Sequence, residues 1–315
     1  MHASLTNPGR VVAVAVAAAA LMVPAAASAS TAADLRVEGG GKQLGQVRAY
    51  TDTAKIRTTK SATCKGSGLV KTVPGATALG LVWSASQVSK AFRPLAISDE
   101  FDFGLFVCGI GKYAGTDTAY WLYKANHREP EVGGDQLKLG RRSQILWYFS
   151  DTTANVNTGD ELSLVAPADA RANATVTVTV YAYDSAGRRT PAAGAIVAGQ
   201  TTDAQGKARI DTPGKGNLRL RATRGADIPS GNAYVCVSKS GHCATHRGVP
   251  ILGSQGADKI TGTGAADTID AGAGDDVISV RRTGVDRVRC GKGRDHVKAD
   301  RADRIAHDCE VVKRG

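Results

Sequence analysis

Apolar and polar residues alternate with a period of two in several stretches of the chain, and this pattern predicts a protein built mainly of strands. The stretch TVTVTVYAYD at 175–184 alternates strictly, so one of its faces is buried and the other wet. Alternation also marks the opening DLRVEGGGKQL. It returns in YWLYKANHREPEVGGDQLKLGRRSQILWYFSD, on both sides of a glycine-containing turn, as expected of paired strands. Only a patch near Ala76 to Ala91 reads as helical. Near the C-terminus the pattern changes to a short repeat. Asp-x-[Ile/Val] occurs at Asp258/Ile260, Asp267/Ile269, Asp276/Ile278, Asp286/Val288, Asp295/Val297 and Asp303/Ile305, at spacings of 9, 9, 10, 9 and 8 residues. Each unit brings one carboxylate, one inward aliphatic residue and a Gly-rich turn. Stacking such units buries an aliphatic ladder and lines up a ladder of anions, which predicts a solenoid.

With the Asp taken as position six of a nine-residue unit, position four reads Gly256, Ala265, Gly274, Gly284, Gly293 and Arg301. Further glycines stand at Gly253, Gly262, Gly272 and Gly291. Carboxylates and carbonyls without thiol or imidazole are hard oxygen donors, which suit Ca²⁺ better than zinc or copper. The units GSQGADKIT, GTGAADTID and AGAGDDVIS resemble the haemolysin-type, or RTX, calcium repeat G-G-x-G-x-D-x-U-x. The resemblance implies a parallel β-roll in which loop n shares a calcium with loop n+2, pairing Asp258 with Asp276 and Asp267 with Asp286. The expected metal site is therefore Gly253, Gly256, Asp258, Gly262, Asp267, Gly272, Gly274, Asp276 and Asp286, with one or two ions in the first half. Ala265, Arg281, Arg282 and Arg301 break the pattern, which predicts a metal-poor second half. The competing reading keeps the solenoid but gives the Asp residues only a turn-capping role through side-chain to backbone hydrogen bonds.

Arg10 precedes an apolar run from Val11 to Val23, followed by Pro24 and the small residues Ala27-Ser28-Ala29. This layout is that of a secretory signal peptide over 1–29 and predicts a secreted, extracellular protein with no integral membrane span in the mature chain. Six cysteines fit an oxidising compartment. Their positions fall in local pairs, Cys64 with Cys108, Cys236 with Cys243 and Cys290 with Cys309, although many pairings are open to six cysteines. The last two stand 19 residues apart, close to one coil of two repeats, where a staple would take over from absent metal. Cys236, His242, Cys243 and His246 raise zinc as an alternative. Against it, the cysteines are spaced C-x6-C and Cys243 falls inside the histidine pair.

Composition agrees with several small β domains: 37 Gly among 315 residues and only 5% aromatic. The first, 30–167, holds all three tryptophans, Trp83, Trp121 and Trp147. Its Val37-Glu38-Gly39, GATALG at 75–80, FDFGLFVCGIG at 101–111, Tyr120-Trp121-Leu122-Tyr123, Asn126 and Leu146-Trp147-Tyr148-Phe149 resemble the small α+β domain that ends transcobalamin and intrinsic factor. That resemblance implies a fold and opens a corrinoid-carrier reading, but it carries no ligand set. The usual Asn-Gly turn is Asn126-His127 here, and Trp121 and Trp147 read as core. After a linker at Pro167 to Arg171, residues 168–250 resemble the carboxypeptidase regulatory-like β-sandwich, on Pro191 to Thr223. This implies a spacer without catalytic residues. The roll follows over 251–315.

The formal charge of +11 is partly local. From Arg281 to Gly315 there are eleven Lys/Arg against six Asp/Glu. Such an end suits polyanions, whether cell-wall polymers, anionic lipid or nucleic acid, with an extracellular address against the last; the competing reading is a solvated solenoid face that balances the Asp ladder. Neither an H-E-x-x-H helix nor a G-x-S-x-G elbow occurs in the sequence, and His127, His242, His246, His296 and His307 lack an evident acid/base partner. The chain thus reads as a secreted, monomeric, non-enzymatic calcium-binding protein whose β-roll folds on Ca²⁺ after export. The rival readings are a surface-adhesion protein and a small-ligand carrier.

Overall fold

A computed structural model describes residues 30–315, and the signal-peptide reading of 1–29 lies outside the described residues. The described chain is mainly β, with one α-helix. Its first part comprises β1 (Thr31–Glu38), β2 (Gln43–Thr51), β3 (Ala54–Arg57), β4 (Val70–Val73), α1 (Ala78–Val88), β5 (Leu95–Ser98), β6 (Phe106–Ile110), β7 (Tyr113–Ala114), β8 (Ala119–Ala125) and β9 (Gln144–Asp151). The hairpin β1–β2 is the centre, and β9 joins β1 in parallel with Leu35 beside Ile145. As the alternating segment predicts, β8 and β9 pair antiparallel, Trp121 opposite Phe149. Helix α1 is capped by the Thr77 hydroxyl, which accepts the Gly80 N–H at 3.0 Å, and its buried face meets the sheet. Trp121 and Trp147 are core residues whose indole N–H groups donate to the carbonyls of Tyr113 and Ala78.

The second part contains β10 (Glu161–Val165), β11 (Asp169–Arg171), β12 (Thr175–Tyr183), β13 (Arg189–Pro191), β14 (Ile196–Val197), β15 (Gln200–Thr201), β16 (Lys207–Asp211), β17 (Gly216–Leu220), β18 (Ala222–Thr223) and β19 (Ala233–Ser238). In β12 the alternation is realised, with Val178, Val180 and Ala182 buried in a core of their own. Two boundaries differ from the sequence reading. Residues 161–165, assigned to the first domain, form β10 and pair with β12. The expected linker contains β11, which pairs with β19. A linker and a short edge strand share a polar composition, and only the partner distinguishes them. The two parts meet through paired charges, Arg36 with Glu161 at 2.6 Å and Arg221 with Glu38 at 2.6 Å, around a cleft of about 320 Å³.

The third part is a solenoid of β20 (Ile251–Leu252), β21 (Lys259–Thr261), β22 (Thr268–Asp270), β23 (Val277–Ser279), β24 (Arg287–Arg289), β25 (His296–Ala299), β26 (Arg304–Ile305) and β27 (Val311–Arg314). All its ladders are parallel. β21, β23, β25 and β27 stack in one sheet, while β20, β22, β24 and β26 stack in the other. Ile260, Ile269, Ile278, Val288 and Val297 fill the interior between the sheets. The second sheet does not begin at β20. It continues across β2, with Arg48 beside Ile251 and Ala49 beside Leu252, so one eight-stranded sheet runs from β8 to β26. Tyr50 and Ala32 pack into the solenoid core at this junction. At the far end Arg314 donates to the carbonyls of Asp300 and Asp303, at 2.9 and 3.1 Å.

Candidate metal centre

Because strands alternate between two sheets, the loops that precede them form two rows on opposite sides of the roll. Asp258, Asp276 and Asp295 precede β21, β23 and β25, and Glu310 precedes β27. Asp267, Asp286 and Asp303 precede β22, β24 and β26. Within a row each carboxylate reaches back one coil. The N–H of Asp258 donates to Asp276 Oδ1, that of Asp276 to Asp295 Oδ1 and that of Asp295 to Glu310 Oε2, each at 2.8 Å. In the other row Asp267 donates to Asp286 Oδ1 at 2.8 Å and Asp286 to Asp303 Oδ1 at 2.9 Å. The n to n+2 pairing implied for Asp258/Asp276 and Asp267/Asp286 is thus the contact that the structure contains. It also contains the backbone capping offered as the competing reading, since one oxygen of each of these acceptors serves a backbone N–H.

The second oxygens separate the rows. Asp258 Oδ1, Asp276 Oδ2 and Asp295 Oδ2, all in the first row, are buried without a hydrogen-bond partner. In the second row only Asp286 Oδ2 is in that state. Asp267 Oδ1 accepts the Thr263 hydroxyl at 2.8 Å and its Oδ2 accepts the Thr263 N–H, while Asp303 Oδ2 accepts the Asp300 N–H at 2.7 Å. No Lys or Arg forms an ion pair with any of the four orphaned carboxylates among the described residues. A buried carboxylate with one oxygen unpartnered and no cation beside it is costly. Burial, and then the charges of Asp258, Asp295 and Asp275, push the Asp276 carboxyl up to about 7. Burial with Asp267, Asp303 and Asp300 lifts Asp286 to about 6. Asp258 and Asp295 are raised by burial as well; the Ser30 hydroxyl and the Ser254 N–H oppose the rise at Asp258.

The glycines set the distance between coils. Gly274 and Gly293 have φ of +118° and +139°, and a Cβ on either would lie within 2.6 Å of backbone atoms of the coil before, Gly256 and Gly274 in turn. Gly272 stands equally close to the Ser254 carbonyl and Gly253 to that of Ala271. Gly262 abuts Asp267 and Val280. Gly256 meets no backbone, because no coil precedes it.

Hard oxygens in a column, buried, anionic and lacking donors, fit a divalent cation of the calcium type. Residues 251–280 match the RTX calcium-binding nonapeptide repeat, in four copies. No match to the chain was found among curated proteins or solved structures. The RTX segment spans β20 to β23 and is a calcium-binding repeat region by that match. It ends before Asp286 and Asp295, yet the backbone-to-carboxylate hydrogen bonds of the first row run on through Asp295, whose unit keeps Gly291 and Gly293. The sequence reading places Asp295 in a metal-poor second half, on the strength of Arg281, Arg282 and Arg301; in the structure its Oδ2 is buried and unpartnered, as are Asp258 Oδ1, Asp276 Oδ2 and Asp286 Oδ2. Thr263, which satisfies Asp267, was not singled out.

The cysteines pair as their spacing indicated: Cys64–Cys108, Cys236–Cys243 and Cys290–Cys309, with Cα separations of 5.4, 6.3 and 5.2 Å. The last joins adjacent coils beyond the RTX match. The zinc alternative fails because Cys236 and Cys243 are bonded to each other, while His246 Nε2 lies 2.9 Å from Asp169 Oδ1. The Asn126-His127 turn closes with positive φ at both residues, 51° and 68°, and His127 stacks on Tyr183 and pairs with Glu161 at 3.0 Å. Both contacts cross from the first part to the second.

Proposed function

We propose that this is an exported, non-enzymatic calcium-binding protein in which Ca²⁺ held by the row Asp258, Asp276 and Asp295 locks the roll. In this reading the first domain is of the transcobalamin-tail type and the second is a carboxypeptidase regulatory-like spacer. The observation that carries it is the file of three buried, unpartnered carboxylate oxygens along one side of the stacked RTX coils. Bound calcium supplies the positive charge that these oxygens lack. Asp258, Asp276 and Asp295 provide acceptors already oriented by backbone N–H groups, and Gly272, Gly274, Gly291 and Gly293 let the coils approach. Three disulfides and a calcium-dependent module both suit an extracellular setting, where calcium is plentiful and thiols oxidise.

Calorimetry of the mature chain tests this reading. Calcium is expected to raise the melting temperature well above that in EDTA, and Asp276→Asn should abolish most of the difference, because Asp276 lies between the other two acids. Superimposable melts in calcium and EDTA would remove the reading.

A further inference from the structure

Each carboxylate of the first row reaches back to the coil before it, and Asp258 has no coil before it. Its Oδ2 folds onto the Ser254 N–H of its own loop at 2.6 Å and the Ser30 hydroxyl lies beside the carboxylate, while Oδ1, on a residue only 3% exposed, makes no hydrogen bond. The place of the missing coil is taken by the end of β2. There the Tyr50 side chain packs into the solenoid core, and Asp52 in the following turn brings Oδ2 to 3.4 Å from where a Cβ on Gly256 would stand. Asp52 is half-buried and forms no ion pair among the described residues, so a second uncompensated acid faces the first loop. Two acids without a cation, one of them nine-tenths buried, repel each other unless something positive lies between them.

We propose that Asp52, a residue outside the repeats, completes a divalent-cation site with Asp258 at the junction of β2 and the roll. The ion is of the calcium type, since the donors are carboxylate oxygens around a glycine loop. This inference rests on the calcium reading of the row and extends it: the upstream domain acts as the coil before the first, in metal binding as in strand pairing. Calcium then ties two domains together as well as ordering one.

The test compares the full mature chain with its Asp52→Asn and Asp276→Asn variants, using calcium titration calorimetry and thermal melts in EDTA. Asp52→Asn is expected to bind one ion fewer, or one ion weaker by about tenfold or more, because a charged ligand is lost. Its melting temperature in EDTA should equal or exceed that of the parent, since an unneutralised anion has gone. Equal ion number and affinity in Asp52→Asn, with a loss in Asp276→Asn, would overturn this inference and leave the row intact. A parent protein that binds no calcium would overturn both. A fall in stability that is the same in EDTA and in calcium would assign Asp52 a purely structural role and overturn it too.

Discussion

Asp276 shows how a single carboxyl can carry two states of the roll. Its pKa of about 7, against 3.8 for a free side chain, means that the calcium-free folded roll keeps a proton which the unfolded chain releases. Between about pH 4 and pH 7 the folded state therefore binds more protons, and its stability falls as pH rises through that window before levelling above it. On the proposed reading calcium takes the place of the proton, so its stabilising effect should be larger at pH 8 than at pH 5. Melts in calcium and in EDTA at the two pH values measure this, and an equal calcium shift at both would contradict it. The residue pattern announced Asp276 and its partner Asp258, because a fixed spacing maps directly onto a stack. It was silent on which oxygens stay free. That depends on Thr263 folding back onto Asp267 and on the Asp300 N–H reaching Asp303, local hydrogen bonds that no nine-residue period encodes.

At the scale of the coil, backbone spacing is the controlling quantity. Gly293 has φ of +139° and its missing Cβ would sit 2.0 Å from the Gly274 carbonyl, whereas a Cβ on Gly264 would meet nothing closer than the Thr283 hydroxyl at 3.7 Å. Gly293→Ala should therefore destabilise the roll by about 2 kcal/mol or more, from strain and displaced coils. Gly264→Ala should stay within about 0.5 kcal/mol of the parent. Chemical denaturation of both variants provides the comparison, and similar midpoints would mean that the coils are not held at this spacing. The strands themselves were legible: alternation gave β12 and the β8–β9 pair, and the helical patch gave α1. The role of β10 and β11 was not, since a strand of three to five residues acquires its identity from a partner far along the chain.

For the molecule as a whole, the decisive contact is the one between β2 and β20, which makes the roll an extension of the first domain's sheet. Nothing in the repeat period or in the first hairpin points to the other, because parallel pairing across two hundred residues leaves no local trace. Tyr50, 8% exposed, plugs the near end of the solenoid core. Tyr50→Ala should cost about 3–5 kcal/mol, as for other buried aromatic truncations, and should lower the transition of the roll in the intact chain. Near-UV circular dichroism and calorimetry would report it; a transition unchanged by the substitution would mean that the roll stands independently of the first domain.

The two ends of the solenoid are unlike. One is closed by β2 and Tyr50, and the other ends at β26 and β27 with Arg304, Lys313 and Arg314, the last folded over the carbonyls of Asp300 and Asp303. A stack of identical coils is a one-dimensional crystal, and a bare end would accept the next molecule as readily as its own next turn. With β20 already paired to β2 and Tyr50 packed over the core, the near edge of the stack is taken up by the chain's own upstream domain and is closed to the coil of a second molecule.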